Sequence, residues 1–552
     1  MILQTGSQAS TLREGALSNI GQGGLCCTVT SDCDVATGAK VWSLKLGSDD
    51  GSYDIGSATV IERRLLGATQ TLRIVFDEDQ KDLLIKIEKM LEPAPYVTDE
   101  LDHRNLKPKE DGAPGKVYDL KHYYAVNSDD LFAKCNMFQE VVRNFQQQRL
   151  YQTMYRVTLT SGLDHRISVY DPMRGCEREM ICFDSNSYLG LHIHPRVIEA
   201  SKRVLERVGY GTPSAQMLGG TNRYLRELEE TLARFHGRDK AIIFPSGYAA
   251  NHGTITAIVR KDDAVVRDQF SHASIHDACR ASGSRYSRVY KHLDMKSLGD
   301  TLEKMSADGT CRGKLIVTDG VFSMHGAIAP LPGIVAAAKK HGAKIMLDEA
   351  HATGVFGRTG HGLEEHFSLE GSVDILMGTF SKTPGSIGGY VCGDKALIDY
   401  LRFYANSGLF TASLPSHLCA GLNEAYRILD EEPEHREHLW ENVKNLKPRL
   451  RNLGLITSEE ESPILTIFVG TSAMLASLSG ALFENGIKCG TVDYPAVPRG
   501  EAILRLSVNA RHTQEDLDRV VDTLGKIAKA HHILGCTREE IVDLGTRLNP
   551  NQ

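Results

Sequence analysis

Apolar residues recur in two rhythms along this chain. Before about residue 115 they alternate with polar ones in short runs, as in KVWSLKL (Lys40–Leu46) and TLRIVF (Thr71–Phe76), and a period of two predicts half-buried strands. Gly and Ser are frequent through Gly56, and QKDLLIKIEKMLE (Gln80–Glu92) carries a short helical stripe. Residues 1–115 therefore read as a small α+β module, or as an extension lying on the main domain. The stretch LKPKEDGAPGKVY is rich in Pro, Gly and charge and suits a linker. From Ser128 the period lengthens. Leu131, Phe132 and Phe138 fall on a helix expected to run to Tyr155, with Asp129 and Asp130 in its first turn. VTLTSGLDHRISVYDP reads as a hairpin, and Gly209–Gly237 joins a glycine-rich loop to a long amphipathic helix.

Then come apolar runs at near-regular spacing, separated by turn residues and helical patterns. They lie in AIIFPSGYAANHGTI, DAVVRDQFSHASIHDA, KLIVTDGVFSMHGAIAPL, KIMLDEAH and DILMGTFSK. Strands alternating with helices at this rhythm predict an α/β fold, with a mostly parallel sheet and helices on both faces. The polar residues of interest fall at the predicted strand ends, where open sheets of this kind bind ligands.

Composition narrows the class. The chain has 552 residues, 41% hydrophobic and 24% charged, as in a soluble globular protein. A net charge of −7 argues against broad nucleic-acid binding. The richest apolar stretch, Leu409–Leu422, is too short and too broken by Ser and Thr to span a membrane. The first residues lack the basic and apolar regions of a signal peptide, so a cytoplasmic location is expected. The twelve cysteines are scattered, and Cys26, Cys27 and Cys33 lack a second ligand pair, so no metal site is expected.

The chemistry centres on Asp374–Tyr390, DILMGTFSKTPGSIGGY. An apolar strand ends in Thr379, with Lys382 three residues on and Gly385, Gly388 and Gly389 following. A lysine at the end of a buried strand can have a lowered pKa and attack a carbonyl to form a Schiff base. An isolated lysine in such a loop is more often simply solvated. Asp348, thirty-four residues upstream at another strand end, changes that balance. A carboxylate facing a pyridinium nitrogen, together with a Schiff-base lysine, is the pair that pyridoxal phosphate (PLP) requires. His351 could hydrogen-bond the cofactor's phenolic oxygen, and His272 could stack on its ring. Ser246, Gly247 and Tyr248 open a helix whose positive end suits a phosphate, although a capped helix start without a ligand is about as common. Asn186 sits in a polar turn between strand and helix, and Ser323 at the exit of another strand.

SNSYLG, FPSGYAAN, SHAS, TDGVFSMHG, LDEAHATG, GTFSK and YPAVPRGEAILRLSVNARHT, in that order, resemble the motif series of the α-oxoamine synthase family over roughly residues 128–535. The resemblance implies PLP fold type I, with a cofactor-binding large domain at 176–425. A helix and hairpin at 116–175 precede it, a smaller C-terminal α+β domain spans 426–540, and a tail covers 541–552. It implies Lys382 as the Schiff-base lysine and Cα base, Asp348 at the pyridine nitrogen, His351 at the ring hydroxyl and His272 over the ring. It places the phosphate on Ser246, Gly247, Tyr248 and Thr379, and the amino-acid carboxylate on Arg505, with Asn186 and Ser323 near substrate and cofactor. The family is a homodimer with active sites at the interface, so Thr411 would reach the neighbour's phosphate, although Ala412 replaces a hydroxyl frequent there. The implied reaction is decarboxylative condensation of an α-amino acid with an acyl thioester, carried by coenzyme A or a carrier protein.

His325 stands where the family usually has an acidic residue, and Ser462–Ile464 replaces a stretch that often holds histidine. Both leave substrate choice open. The alternative on the same fold is aminotransfer or aldol-type cleavage. DEAH at Asp348–His351 also resembles a helicase ATPase motif, but no phosphate loop accompanies it; GTCRGKL (Gly309–Leu315) has the wrong spacing. An inactive partner homologue is opposed by intact Lys382, Asp348 and His272.

Overall fold

The computed structural model describes the backbone of seven N-terminal strands between Ile2 and Phe76, and residues 128–548 apart from 148–149, 172–173 and 495. The chain divides into two compact units. One comprises 1–117, 124–161 and 168–179, and the other 118–123, 162–167 and 180–552.

In the first unit the alternating runs are strands. Lys40–Ser48 and Thr69–Phe76 contain both of the quoted runs. The antiparallel order is Ile2–Thr5, Arg13–Gly21, Gly24–Thr30, Thr69–Phe76, Ala58–Leu66, Lys40–Ser48 and Gly51–Asp54. Ile2–Thr5 also pairs with Lys40–Ser48, which closes six of the strands into a ring. Closure satisfies backbone groups that an open edge would leave unpaired. The described residues of this N-terminal segment are thus all β, whereas an α+β module was one expectation; Gln80–Glu92 and the linker stretch lie outside the described residues.

The next helix, Ala133–Gln147, starts later and stops earlier than its apolar pattern predicts. Ser128 Oγ accepts the Asp130 N–H and Asp130 Oδ1 accepts the Phe132 N–H, so side chains hold this backbone in turns. The hairpin forms as expected, with Thr158 opposite Tyr170 and Leu159 opposite Val169.

The second unit is built on a seven-stranded sheet. Its strands in chain order are β1 (Lys240–Phe244), β2 (Ala264–Asp268), β3 (Tyr286–Tyr290), β4 (Lys314–Asp319), β5 (Lys344–Asp348), β6 (Ile375–Thr379) and β7 (Gly389–Gly393). The spatial order is β1-β7-β6-β5-β4-β2-β3. All neighbours are parallel except β7, which is antiparallel to both β1 and β6. Every residue of β6 and β7 is buried, as strands covered on both faces should be. Val265, Val317, Met346, Met377 and Val391 pack with Ile255, Ile275, Ile398 and Leu401 in one apolar layer. Burying each such side chain contributes about 1.5–3 kcal/mol, which makes the sheet a rigid base for the loops at its edge.

Two helices matter for the site: α1 (Gly247–Ile258) after β1, and α2 (Ala273–Ala281) after β2. A second sheet holds β8 (Ile464–Gly470), β9 (Ile487–Val492) and β10 (Ala502–Ser507), with β10 antiparallel to both of the others. The helix Arg538–Leu548 runs through much of the segment expected to be a tail. Among the described residues no helix is long and apolar enough to cross a membrane.

Candidate active site

β4 and β5 end in register, so Asp319 and Asp348 stand side by side at the C-terminal edge of the sheet. Both are buried. Asp348 Oδ2 accepts from Asn251 Nδ2 on α1 at 2.8 Å, and Oδ1 accepts the Ala350 N–H at 3.0 Å. Asn251 Nδ2 also donates to Ser274 Oγ on α2 at 2.9 Å, and that hydroxyl lies 2.7 Å from His272 Nδ1. One polar chain therefore runs from Asp348 to His272. Asp319 accepts the His272 backbone N–H at 3.0 Å. Burial, then the neighbouring Asp348 charge, pushes the Asp319 carboxyl well above the carboxylate range.

Lys382 follows β6. Burial lowers its amine to about 8 against the pull of Asp348 and Asp319, and the Arg505 charge assists burial. Its Nζ makes no hydrogen bond among the described residues. His351 is buried with Nδ1 2.6 Å from Tyr188 Oη. Its pKa lies well below the ordinary value, first through burial and then through the charges of Lys382, Arg505 and His272. His272 is shifted down too, mainly by burial, with Asp348 opposing. At neutral pH the site thus holds two neutral imidazoles and a lysine that readily loses its proton.

The start of α1 forms a tight cradle. Ser246 caps the helix, its Oγ accepting the Ala249 N–H at 3.0 Å. A Cβ on Gly247 would come within 3.0 Å of Thr379 Cβ and Oγ1, and one on Gly389 within 2.7 Å of Gly247 Cα. Only glycines allow β6, β7 and the helix start to meet this closely. Thr379 Oγ1 donates to Gly388 O at 2.9 Å and lies 2.9 Å from Ser381 Oγ. The Tyr248 hydroxyl donates to Asp277, so at the cradle Tyr248 offers its backbone N–H rather than its ring.

Arg505, in β10, is buried. Its Nε donates to Ser323 O at 2.7 Å, Nη1 to Ser507 Oγ at 2.7 Å and Nη2 to Asn186 Oδ1 at 3.0 Å. Arg505, Asn186 and Ser323 are thus brought together, and through charge Arg505 acts on both Lys382 and His351. Thr411 precedes Ala412, which bridges to Ala215, and has no hydrogen bond to these groups among the described residues. The His325 ring stacks on Phe270 with centroids 5.6 Å apart. Ser462 is buried, and its Oγ accepts the Ile464 N–H at 3.1 Å.

The sequence profile of the aminotransferase class I and II family matches residues 178–524. The chain is 43% identical over 350 residues to 8-amino-7-oxononanoate synthase 1 of Bacillus velezensis, covering 63% of this chain and 88% of that one. The chain belongs to the α-oxoamine synthases. That family comprises PLP-dependent acyltransferases of fold type I, which condense an α-amino acid with an acyl thioester and release carbon dioxide. The synthase is also 39% identical over 399 residues to 4-hydroxy-2,2'-bipyrrole-5-methanol synthase PigH of Serratia sp., covering 72% of this chain and spanning 60% of PigH. The solved structure of Sphingomonas wittichii serine palmitoyltransferase aligns with a TM-score of 0.68 and 33% identity over 73% of this chain and all of that one. A serine palmitoyltransferase structure described with a PLP internal aldimine gives the same TM-score at 32% identity, over 73% of this chain and all of that one.

Reading the sequence missed Tyr188, Asn251, Ser274 and Ser507 as members of this site and gave Asp319 no role. A signal existed for Asn251, a carboxamide one turn into a helix whose neighbours are otherwise apolar or small. In the synthase Gly247→Ala tests the cradle. Alanine in a helix is favoured over glycine by about 0.5–1 kcal/mol, which offsets part of the crowding of the new methyl against Thr379 and Met377, and the melting temperature of the variant reports any remaining loss of stability. PLP affinity, measured by titration of visible absorbance, is expected to fall about tenfold because the new methyl meets Thr379. Unchanged affinity would place the phosphate elsewhere.

Proposed function

We propose that the synthase joins an α-amino acid to an acyl thioester in the pocket between Lys382 and Arg505. One observation carries this reading. A buried lysine with an amine pKa of about 8 lies within electrostatic reach of an arginine that keeps a free N–H group. The base and the carboxylate anchor that such a condensation needs thus lie within electrostatic reach of each other.

The donor set fits PLP. Lys382 would take the aldehyde, Asp348 the ring nitrogen and His351 the phenolic oxygen, while His272 would lie against the ring. The phosphate would sit on the N–H groups of Ser246, Gly247 and Tyr248 and on Thr379. PLP, when bound, supplies an electron sink for the charge that develops at the substrate Cα. Asn251 fixes the orientation of Asp348, so the carboxylate does not have to reorganise during the reaction. Arg505, with Asn186 and Ser323 beside it, orients the amino acid through its carboxylate. The Lys382 Nζ, once free, accepts the Cα proton, which its lowered pKa allows near neutral pH. On this reading the cofactor-binding domain spans 176–425 and the small domain 426–540.

The same reading includes a homodimer. Tyr210, Leu218 and Phe410 are 86%, 84% and 79% exposed, and the Ala215–Ala412 bridge ties the loops carrying Leu218 and Phe410 together. An apolar surface of this kind suits a second copy, from which Thr411 would complete the phosphate site. Coenzyme A or a carrier protein would bring the acyl group. The cysteines whose side chains are described are all unpaired, which supports a reducing, cytoplasmic setting.

The test is a visible absorbance scan of the purified protein, with amino acids added singly and then a panel of acyl-coenzyme A thioesters. A band that shifts with one amino acid, then decays with carbon dioxide release on adding one thioester, is the expected result. A band that responds to amino acids and to no thioester, free or carrier-bound, would favour aminotransfer. No band after adding PLP would overturn the reading.

A further inference from the structure

We infer that Tyr188 is a positioning residue that fixes the tautomer of His351, placing the imidazole proton on Nε2. The inference rests on the PLP site proposed above and concerns a residue behind it. Tyr188 is completely buried, and its Oη lies 2.6 Å from His351 Nδ1. Its backbone is held on both sides: its N–H donates to Asn186 O at 2.9 Å, and its carbonyl accepts the Ala510 N–H at 2.8 Å. The phenol ring therefore has a fixed origin, and the contact with His351 is not that of a mobile side chain.

Two arrangements of protons satisfy this contact, and the surroundings choose between them. Burial pushes the Tyr188 phenol up to about 12, so its hydroxyl keeps a proton. Burial and the charges of Lys382, Arg505 and His272 keep His351 neutral, with one ring proton. If Nδ1 carried that proton, the tyrosine oxygen would accept it and its own hydrogen would need an acceptor. The charged group acting on Tyr188 is the guanidinium of Arg505, which can only donate. The guanidinium favours the oxygen's lone pairs, so the hydroxyl hydrogen turns to Nδ1 and the ring proton goes to Nε2. Nε2 makes no hydrogen bond among the described residues, so its N–H remains available as a donor in the pocket that Lys382 shares. The tautomer is thus set by a tyrosine whose other neighbour is the carboxylate-binding arginine.

The deciding measurement is the ring-nitrogen chemical shifts of His351 in PLP-free protein labelled with 15N-histidine, the signals being identified by their loss in His351→Gln. Nδ1 is expected to be unprotonated and Nε2 protonated, and Tyr188→Phe is expected to move population toward the opposite tautomer. A wild-type Nδ1 that carries the proton would overturn the inference, even if Tyr188→Phe did not fold. In PLP-loaded protein, Tyr188→Phe should keep the visible band and lower kcat/KM about fivefold, the typical loss for one hydrogen bond. Unchanged tautomer and kinetics in that variant would also overturn it. Loss of the band in the wild type itself would refute the PLP site, and the shifts of the PLP-free protein would still report on the tautomer.

Discussion

Replacing Lys382 with alanine is expected to abolish condensation and the visible band of the PLP-loaded enzyme, with at least about a thousandfold loss in turnover, as when the central group of a covalent mechanism is removed. Among the described residues no second lysine occupies this pocket. The other cation acting there is Arg505, whose guanidinium donates hydrogen bonds and accepts none. The lowered pKa adds a signed expectation. Only the neutral amine attacks an aldehyde, so capture of PLP should quicken as pH rises, with a midpoint near 8 rather than the ordinary 10.5. At pH 7 that shift raises the neutral fraction about 300-fold over a solvated lysine. Stopped-flow absorbance of PLP-free enzyme mixed with PLP, repeated from pH 6 to 10, checks this directly. A midpoint near 10.5 would mean that Lys382 is solvated, and wild-type turnover in Lys382→Ala would remove it from the chemistry altogether.

The parts of this molecule that could be read from the sequence are those governed by local pattern. Five apolar runs predicted β1, β2, β4, β5 and β6, and their ends carry Asp268, Asp319, Asp348 and Thr379. Lys382, Asp348, His272 and His351 were legible because each sits at the end of such a run or a few residues beyond it. Other features depend on partners far along the chain. The ring of N-terminal strands closes only because Ile2–Thr5 meets Lys40–Ser48, a pairing that neither segment announces. Asn251 takes its role from Asp348, 97 residues away, and Tyr188 from His351, 163 residues away. Side-chain competition hid other details. Ser128 and Asp130 hold the backbone out of the helix that the apolar pattern starts too early, and Asp277 draws the Tyr248 hydroxyl away from the cradle at the start of α1.

Arg505→Ala is expected to weaken amino-acid binding about a hundredfold or more while changing PLP affinity little. A guanidinium has five N–H groups. Three of them go to Ser323 O, Ser507 Oγ and Asn186 Oδ1, and the guanidinium also faces the Tyr188 hydroxyl, which leaves at least one N–H on its terminal nitrogens. A carboxylate can take such an N–H, and a buried charge-assisted pair loses about 2–5 kcal/mol when one partner is truncated. Arg505→Lys should fall between wild type and alanine, because an ammonium keeps the charge but cannot hold Asn186, Ser507 and a carboxylate in one plane. Asn186→Ala should show a smaller loss of the same kind, since Asn186 orients the guanidinium without carrying charge. Spectral titration of each variant with the amino acid, beside a separate titration with PLP, distinguishes the roles. Equal loss of both affinities in Arg505→Ala would make Arg505 a structural pin for Ser323 and Asn186. Loss confined to the amino acid, graded from alanine through lysine to arginine, would make it the anchor that sets where Cα meets Lys382.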